Sequence, residues 1–260
     1  MLKRRCSRST QYLSERINQS KASKVDAEFL EVRRRVEVYD SFIEKIETAT
    51  KEYMQPNPHK RTTTTWKISY LKVAGQDADT ARYPQVEASL AYRFTKFSVE
   101  LYGLRDPTPY EWSLKTLGES FEHLSENKDV LEDELRKTFL HPLSSMQGEI
   151  REILDELKKF DKRRLEYDFN RNHKEKVSAV DLETSRYKYE SCRRDCYMKM
   201  MKFTEEESEH VSVLYNLVRS LQNHHRMCHD VMNDAVTSID EKMKEATITK
   251  TTNNKHNLKL

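Results

Sequence analysis

Residues 189–243 read YESCRRDCYMKMMKFTEEESEHVSVLYNLVRSLQNHHRMCHDVMNDAVTSIDEKM. Within them Tyr189, Cys192, Cys196, Met200, Phe203, Glu207, His210, Leu214, Leu217, Leu221, His225, Cys228, Met232, Ala235, Ile239 and Met243 recur at alternating steps of three and four. A period near 3.5 marks a helix that buries one seam against other helices. Every Pro lies at or before Pro142 and every Gly at or before Gly148, so residues 149–260 contain neither helix breaker. The spacing predicts one helix from about Asp181 to about Met243, roughly 90–95 Å long at about 1.5 Å per residue. That exceeds what one globular core covers, so the helix needs helical partners along its length. Phe203, Leu214, Leu217, Leu221, Met232 and Ile239 are the seam residues expected to carry the packing.

The remaining chain fits an all-α plan. Its 260 residues hold 4 Gly and 6 Pro, with 36% hydrophobic and 34% charged side chains. An ordinary domain uses about 5–7% of each breaker, and folds rich in turns need glycine for positive φ, which argues against sandwiches, propellers and dinucleotide-binding folds. Residues 25–55 predict a second helix with Phe29, Val32, Val36, Phe42, Ile43, Ile46 and Tyr53 on one face, closed by Pro56 and Pro58. The stretch from about 56 to 83 reads as a loop, because four consecutive β-branched threonines, Thr62 to Thr65, lower helix propensity. A third helix starts near Pro84, pauses at 103–109, resumes at Tyr110 and runs to about Phe169; Pro142 inside it predicts a bend. Residues 246–260 lack apolar periodicity and are expected to be a disordered tail.

No run approaches the roughly 18–20 apolar residues of a bilayer span, and the N-terminus lacks the apolar core of a signal peptide. A cytoplasmic protein is expected. Cys6, Cys192, Cys196 and Cys228 form no disulfide framework and are read as reduced thiols. Cys192 and Cys196 lie one turn apart, as do His225 and His229, with Cys228 beside them; zinc sites use such spacings. These cysteines and His225 occupy seam positions, however, where a free thiol packs as a small hydrophobe, so no metal is expected. Glu207 and His210 are either a polar register device within the seam or solvent-facing.

Charge is segregated along the chain. Residues 1–25 hold seven bases and one acid, residues 60–75 four bases and no acid, and residues 158–176 eight bases and four acids. Residues 119–157 hold eleven acids and four bases. Three basic patches on an otherwise balanced or acidic chain point to a polyanionic partner. No nucleic-acid reading module accompanies them, and no phosphate loop, nucleophile elbow or histidine-glutamate metal motif occurs. Neither an enzyme, a cofactor nor a nucleic-acid partner is expected.

Several motifs together resemble the N-terminal part of endophilins, members of the N-BAR family. They are Glu52-Tyr53-Met54-Gln55-Pro56-Asn57-Pro58, Gly75-Gln76, Tyr83-Pro84-Gln85, Thr138-Phe139-Leu140-His141-Pro142-Leu143, Arg151-Glu152-Ile153 and the run from Leu157 to Asp168. The similarity extends from about residue 2 to about 243. It implies an elongated, kinked three-helix coiled coil that pairs as a crescent-shaped antiparallel homodimer, the BAR domain. By that resemblance, residues 1–24 are an N-terminal amphipathic helix and linker, residues 25–245 the BAR domain with its insert loop at about 56–83, and residues 246–260 a tail. The sequence ends without the Src-homology type 3 domain typical of endophilins, so no proline-rich ligand is expected.

The expected function is peripheral binding to anionic phospholipid membranes, sensing or generating curvature in endocytic or vesicle trafficking on early endocytic or vesicle membranes. Lys3, Arg4, Arg5, Arg8 and Arg16 attract headgroups, and Leu2, Leu13 and Ile17 insert shallowly. Cys6 stands where the family has a large aromatic, which weakens insertion. Lys60, Arg61, Trp66 and Lys72 act at the centre, with Ile68, Tyr70 and Leu71 beside them. Lys162, Arg163, Arg164, Arg171, Lys174 and Lys176 act along the arm and tip. The alternative is a coiled-coil interaction protein that forms heterodimers with endophilins and modulates them without strong membrane bending.

Overall fold

The computed structural model describes residues 22–76, 81–102 and 108–257, with the backbone alone beyond Thr247. Among the described residues every regular element is a helix and there is no strand. The elements are α1 (Ala27–Met54), α2 (Pro58–Val73), α3 (Val86–Tyr102), α4 (Pro109–Leu135), a π turn (Arg136–Leu140), α5 (His141–Asn172), a 3-10 turn (Lys174–Lys176), α6 (Ala179–Glu205) and α7 (Glu207–Asn257). They fall into two compact units: the described residues of Met1–Glu47 with Pro142–Ser212, and those of Thr48–His141 with Val213–Leu260.

In the first unit three apolar stripes meet. Phe29, Val32, Val36 and Ile43 come from α1, Ile150, Ile153, Leu157 and Phe160 from α5, and Tyr189, Cys196, Met200 and Phe203 from α6; all are buried. Their spacings of three, four and seven put each set on one helix face. Phe29 and Phe160 meet at 4.8 Å between ring centroids and Phe160 and Tyr189 at 5.7 Å, so one ring on α5 is shared by both neighbours. One end of the unit is pinned by the buried Asp168, whose carboxylate accepts from the Ser23 backbone N–H at 3.0 Å and from the Ser23 hydroxyl. Arg171 pairs with Asp168 at 3.1 Å and donates to Ser23 Oγ at 3.0 Å. The buried charge is thereby both paired and hydrogen-bonded, as its desolvation requires.

In the second unit, α3 and α4 form a close antiparallel pair. Thr108 caps α4 in a reciprocal box with Glu111, and Pro109 occupies the first turn, where its missing N–H costs nothing. Gly118 lets the helices approach: a Cβ there would stand 2.3 Å from Thr95 Oγ1 and 3.0 Å from the Thr95 backbone nitrogen. Ser98 Oγ donates to the Glu111 carbonyl at 3.0 Å, and Phe94 stacks on Phe121.

Four features differ from the sequence reading. First, the long helix expected from Asp181 to Met243 breaks at Glu206 (φ −75°, ψ 30°). Glu205, Glu206, Glu207 and Glu209 disfavour the C-terminus of α6 and favour a new N-terminus, and Thr204 Oγ1 turns back onto the Met200 and Met201 carbonyls, a bond that bends helices. Second, the predicted loop at 56–83 contains the sixteen-residue helix α2. Third, α7 runs to Asn257 through the expected disordered tail, because no Gly or Pro stops the ladder. Fourth, the helix expected to run through Pro142 is interrupted just before it by a π turn, Arg136–Leu140, in which the His141 N–H reaches Arg136 O. The extra residue in that turn relieves the clash a proline ring makes with the carbonyl four residues back.

Candidate functional site

Helix α2 exists because its ends are built. The Asn57 side chain accepts from the His59 and Lys60 N–H groups at 3.0 and 3.2 Å, and Pro58 takes the first turn. At the other end Gly75 adopts φ +66°. Its N–H reaches Lys72 O and the Gln76 N–H reaches Leu71 O, which is a Schellman closure. The threonines that argued for a loop turn their hydroxyls inward along the helix: Thr62, Thr63 and Thr65 each donate to the carbonyl four residues back at 2.9 Å.

The helix has two faces. Thr64 is buried, and Arg61, Ile68 and Leu71, on the same side, are half-buried. The opposite side carries Trp66 (73% exposed), Tyr70 (71%) and Val73 (91%), spaced four and three so that they form one stripe. Lys67 and Lys72 are exposed and Lys60 is half-buried; the helix holds no acid.

Arg61, expected to face a polyanion, is engaged inside the protein. Its Nη1 donates to Gln55 O at 2.8 Å and Pro56 O at 3.0 Å, and its Nη2 pairs with Glu52 at 3.0 Å. Gln55, itself buried, joins the two feet of the excursion: Nε2 donates to Pro84 O at 2.9 Å while Oε1 accepts from the Asn57 N–H at 3.1 Å. The returning foot is held on α4. Glu132 accepts the Tyr83 N–H at 3.1 Å and pairs with Arg136, and Arg82 donates to Asp129 O and pairs with Asp133. Burial raises the Glu132 carboxyl above its ordinary value, against the Arg136 charge, which lowers it.

The other basic residues named from sequence divide into two groups. Lys162, Lys174 and Lys176 are exposed, whereas Arg164 is half-buried. Arg163 pairs with Glu166 at 3.0 Å, and Arg171 is committed to Asp168 and Ser23. Leu2, Lys3, Arg4, Arg5, Arg8, Leu13, Arg16 and Ile17 lie outside the described residues.

Of the seam residues, Phe203 is buried against Tyr39 and His210. Leu217, Leu221, Met232 and Ile239 are half-buried, while Leu214 is 51% exposed. Sequence reasoning missed the neighbouring exposed pair Tyr215 and Val218; its signal was a second apolar row one position off the seam. His210 sits between Tyr39 and Phe203, its Nδ1 3.3 Å from the Tyr39 hydroxyl, and the exposed Glu207 pairs with Arg35. Burial pushes the Cys196 thiol up to about 12 and raises Cys192 and Cys228, so none is an activated thiolate. Cys228 Sγ lies 3.6 Å from His224 Nε2. Among the described residues no three metal-ligating side chains are grouped to hold an ion, and no helix is long and apolar enough to cross a membrane.

The profile of the BAR domain family matches residues 2–241. Endophilin-A1 of Mus musculus is 30% identical over 246 residues, covering 94% of this chain and 69% of its own length. Endophilin-A of Drosophila melanogaster is 28% identical over 246 residues, covering 94% of this chain and 65% of its own. Among solved structures, the N-terminal I-BAR domain of D. discoideum IBARa matches 87% of this chain and 93% of its own at TM-score 0.44 and 11% identity.

Proposed function

The chain belongs to the BAR domain family, with endophilins among its relatives, and from that premise we propose a peripheral membrane protein, without enzymatic activity, that binds anionic membranes. It senses or generates their curvature on early endocytic or vesicle membranes, working as a homodimer. The observation that carries this reading is the outer face of α2, where Trp66, Tyr70 and Val73 stand exposed on a helix with three lysines and no acid. Trp and Tyr favour the interfacial zone, where the ring and its polar edge are both satisfied. Each large side chain gains about 1.5–3 kcal/mol on full burial, and each lysine near an anionic surface adds about 1 kcal/mol. Lys162, Lys174 and Lys176 supply further attraction, and the basic residues between Lys3 and Arg16 extend it.

The exposed row of Leu214, Tyr215 and Val218 on α7 supports pairing with a second helical chain. A second copy covers it in a homodimer, and an endophilin covers it in the alternative reading, a heterodimerising modulator. Co-expression with an endophilin and a tagged pull-down separates the two, since mixed dimers support the alternative and their absence removes it.

Trp66 and Trp112 are the two tryptophans of the chain, so Trp112→Phe leaves Trp66 as the sole reporter. Emission should shift to the blue when phosphatidylserine-rich vesicles are added and return in half-molar salt, because exposed charges are screened within about 8 Å at physiological ionic strength and less above it. Emission already blue-shifted before vesicles are added would assign the stripe to a protein contact instead. No shift and no co-sedimentation would overturn the membrane reading.

A further inference from the structure

We infer that Arg61 is a positioning residue: with Gln55 it forms a clasp that sets how α2 leaves α1, and so how the Trp66 stripe is presented. This rests on the membrane reading of α2. Arg61 and Trp66 belong to one short helix, yet they do opposite things. Trp66 points away from the protein, whereas the Arg61 side chain is only 21% exposed and spends its guanidinium on three acceptors. Two of them, Gln55 O and Pro56 O, lie just beyond the last residue of α1, Met54. Carbonyls there have no partner within the helix and sit at the negative end of its dipole. The third acceptor, Glu52, lies on the last turn of α1.

The planar fork of arginine satisfies acceptors in two directions at once, while a lysine ammonium on its flexible stem acts as a point charge and does not reproduce that geometry. The same Gln55 whose carbonyl takes Arg61 uses its side chain to bind Pro84 O and the Asn57 N–H. One buried residue therefore ties the outgoing foot, the returning foot and the α2 cap together. Pro56 and Pro58 narrow φ on either side of Asn57. An apolar stripe on a helix so held is a lever with a set direction, whereas the same stripe on an unclasped segment would lose ordering entropy each time it met a surface.

The discriminating substitution preserves charge. Arg61→Lys in the full chain keeps the positive charge and loses the fork, while Lys60→Gln one residue earlier removes a charge and leaves the clasp intact. Without vesicles, amide exchange across residues 58–73 should quicken at least tenfold in Arg61→Lys and stay at the wild-type rate in Lys60→Gln. With phosphatidylserine-rich vesicles, Arg61→Lys should lose most of the Trp66 blue shift in the Trp112→Phe background. Lys60→Gln should keep the shift and bind about fivefold more weakly, the loss of one surface charge. Glu52→Gln, which removes one exposed acceptor, should fall between wild type and Arg61→Lys, and serves if Arg61→Lys loses helicity by far-ultraviolet circular dichroism. Wild-type protein that fails to bind vesicles would overturn the membrane reading itself. Wild-type binding together with normal exchange and a normal Trp66 shift in both Arg61→Lys and Glu52→Gln would overturn the clasp.

Discussion

The same substitution, glycine to alanine, should change stability in opposite directions at two helical positions. At Gly148 an added Cβ meets nothing within 4 Å, so alanine acts through propensity and unfolded-state entropy alone, worth about 0.5–1 kcal/mol of stabilisation. At Gly118 the same gain is opposed by overlap with α3. The new Cβ would lie 2.3 Å from Thr95 Oγ1, 3.0 Å from the Thr95 nitrogen and 3.3 Å from its Cα. Rotating the threonine side chain relieves only the first of these, and the backbone contacts remain unless α3 and α4 separate. Separation loosens the Ser98 hydrogen bond to Glu111 O and the Phe94–Phe121 stack. Overpacking of this kind costs about 1–3 kcal/mol; set against the propensity gain, Gly118→Ala should be about 1–2 kcal/mol less stable than wild type. The two alanine variants share the propensity gain and should therefore lie about 1–3 kcal/mol apart, the cost of the overlap. Urea unfolding followed by circular dichroism measures this, at one protein concentration because association shifts apparent stability. Adding Thr95→Ala to Gly118→Ala should recover part of the loss by removing Oγ1. A stabilised Gly118→Ala would refute the close approach of the two helices.

Two further outcomes follow from buried polar groups. Asp168→Asn should lower stability by about 2–3 kcal/mol in urea, less than the ~3–5 kcal/mol of a fully buried broken pair because Arg171 is partly solvated; the amide can keep the Ser23 N–H but removes the carboxylate charge of the pair with Arg171. Burial lowers the His224 imidazole below its ordinary value of 6.5, against its bond to Asn127 O, which raises it. The unfolded chain then binds the proton first, so this contribution is complete above about pH 6.5 and is lost as pH falls through the lowered folded value. A pH series of urea midpoints should flatten in that window in His224→Asn, and an unchanged slope would remove His224 as its source.

Local rules reached far into this fold. The rows Phe29-Val32-Val36 and Tyr189-Cys196-Met200-Phe203, with no breaker after Gly148, specify helices and the faces they bury, because a helix presents every third or fourth residue to one side whatever surrounds it. Pro56, Pro58 and Pro84 marked helix ends, and Pro142 an irregular turn, for the same local reason. The helix at Pro58–Val73 was concealed by the four threonines, since propensity read residue by residue weighed the β-branch against helix. The Asn57 cap, Pro58 in the first turn and the Gly75 closure together outweigh it.

Charge was legible as composition but not as role. From sequence, Arg61, Arg163 and Arg171 were interchangeable members of basic runs with Lys162, Lys174 and Lys176. In the folded chain the three arginines are committed to partners on the protein and the three lysines are exposed. Arg171 meets Ser23, 148 positions away, and Tyr83 meets Glu132, 49 away. Sequence alone determined the all-α class, the buried rows of α5 and α6 and the basic segments, because each depends on residues within a few turns of one another; it also put Phe42 and Tyr53 on the buried face of α1, where they are 54% and 52% exposed. Arg163 and Arg171 find carboxylates three residues away on their own helix, but only the tertiary structure decided that Asp168 is buried against Ser23 and that Arg61 turns back onto Gln55 O and Pro56 O, because that depends on which groups folding carries to within about 3 Å, the reach of a hydrogen bond.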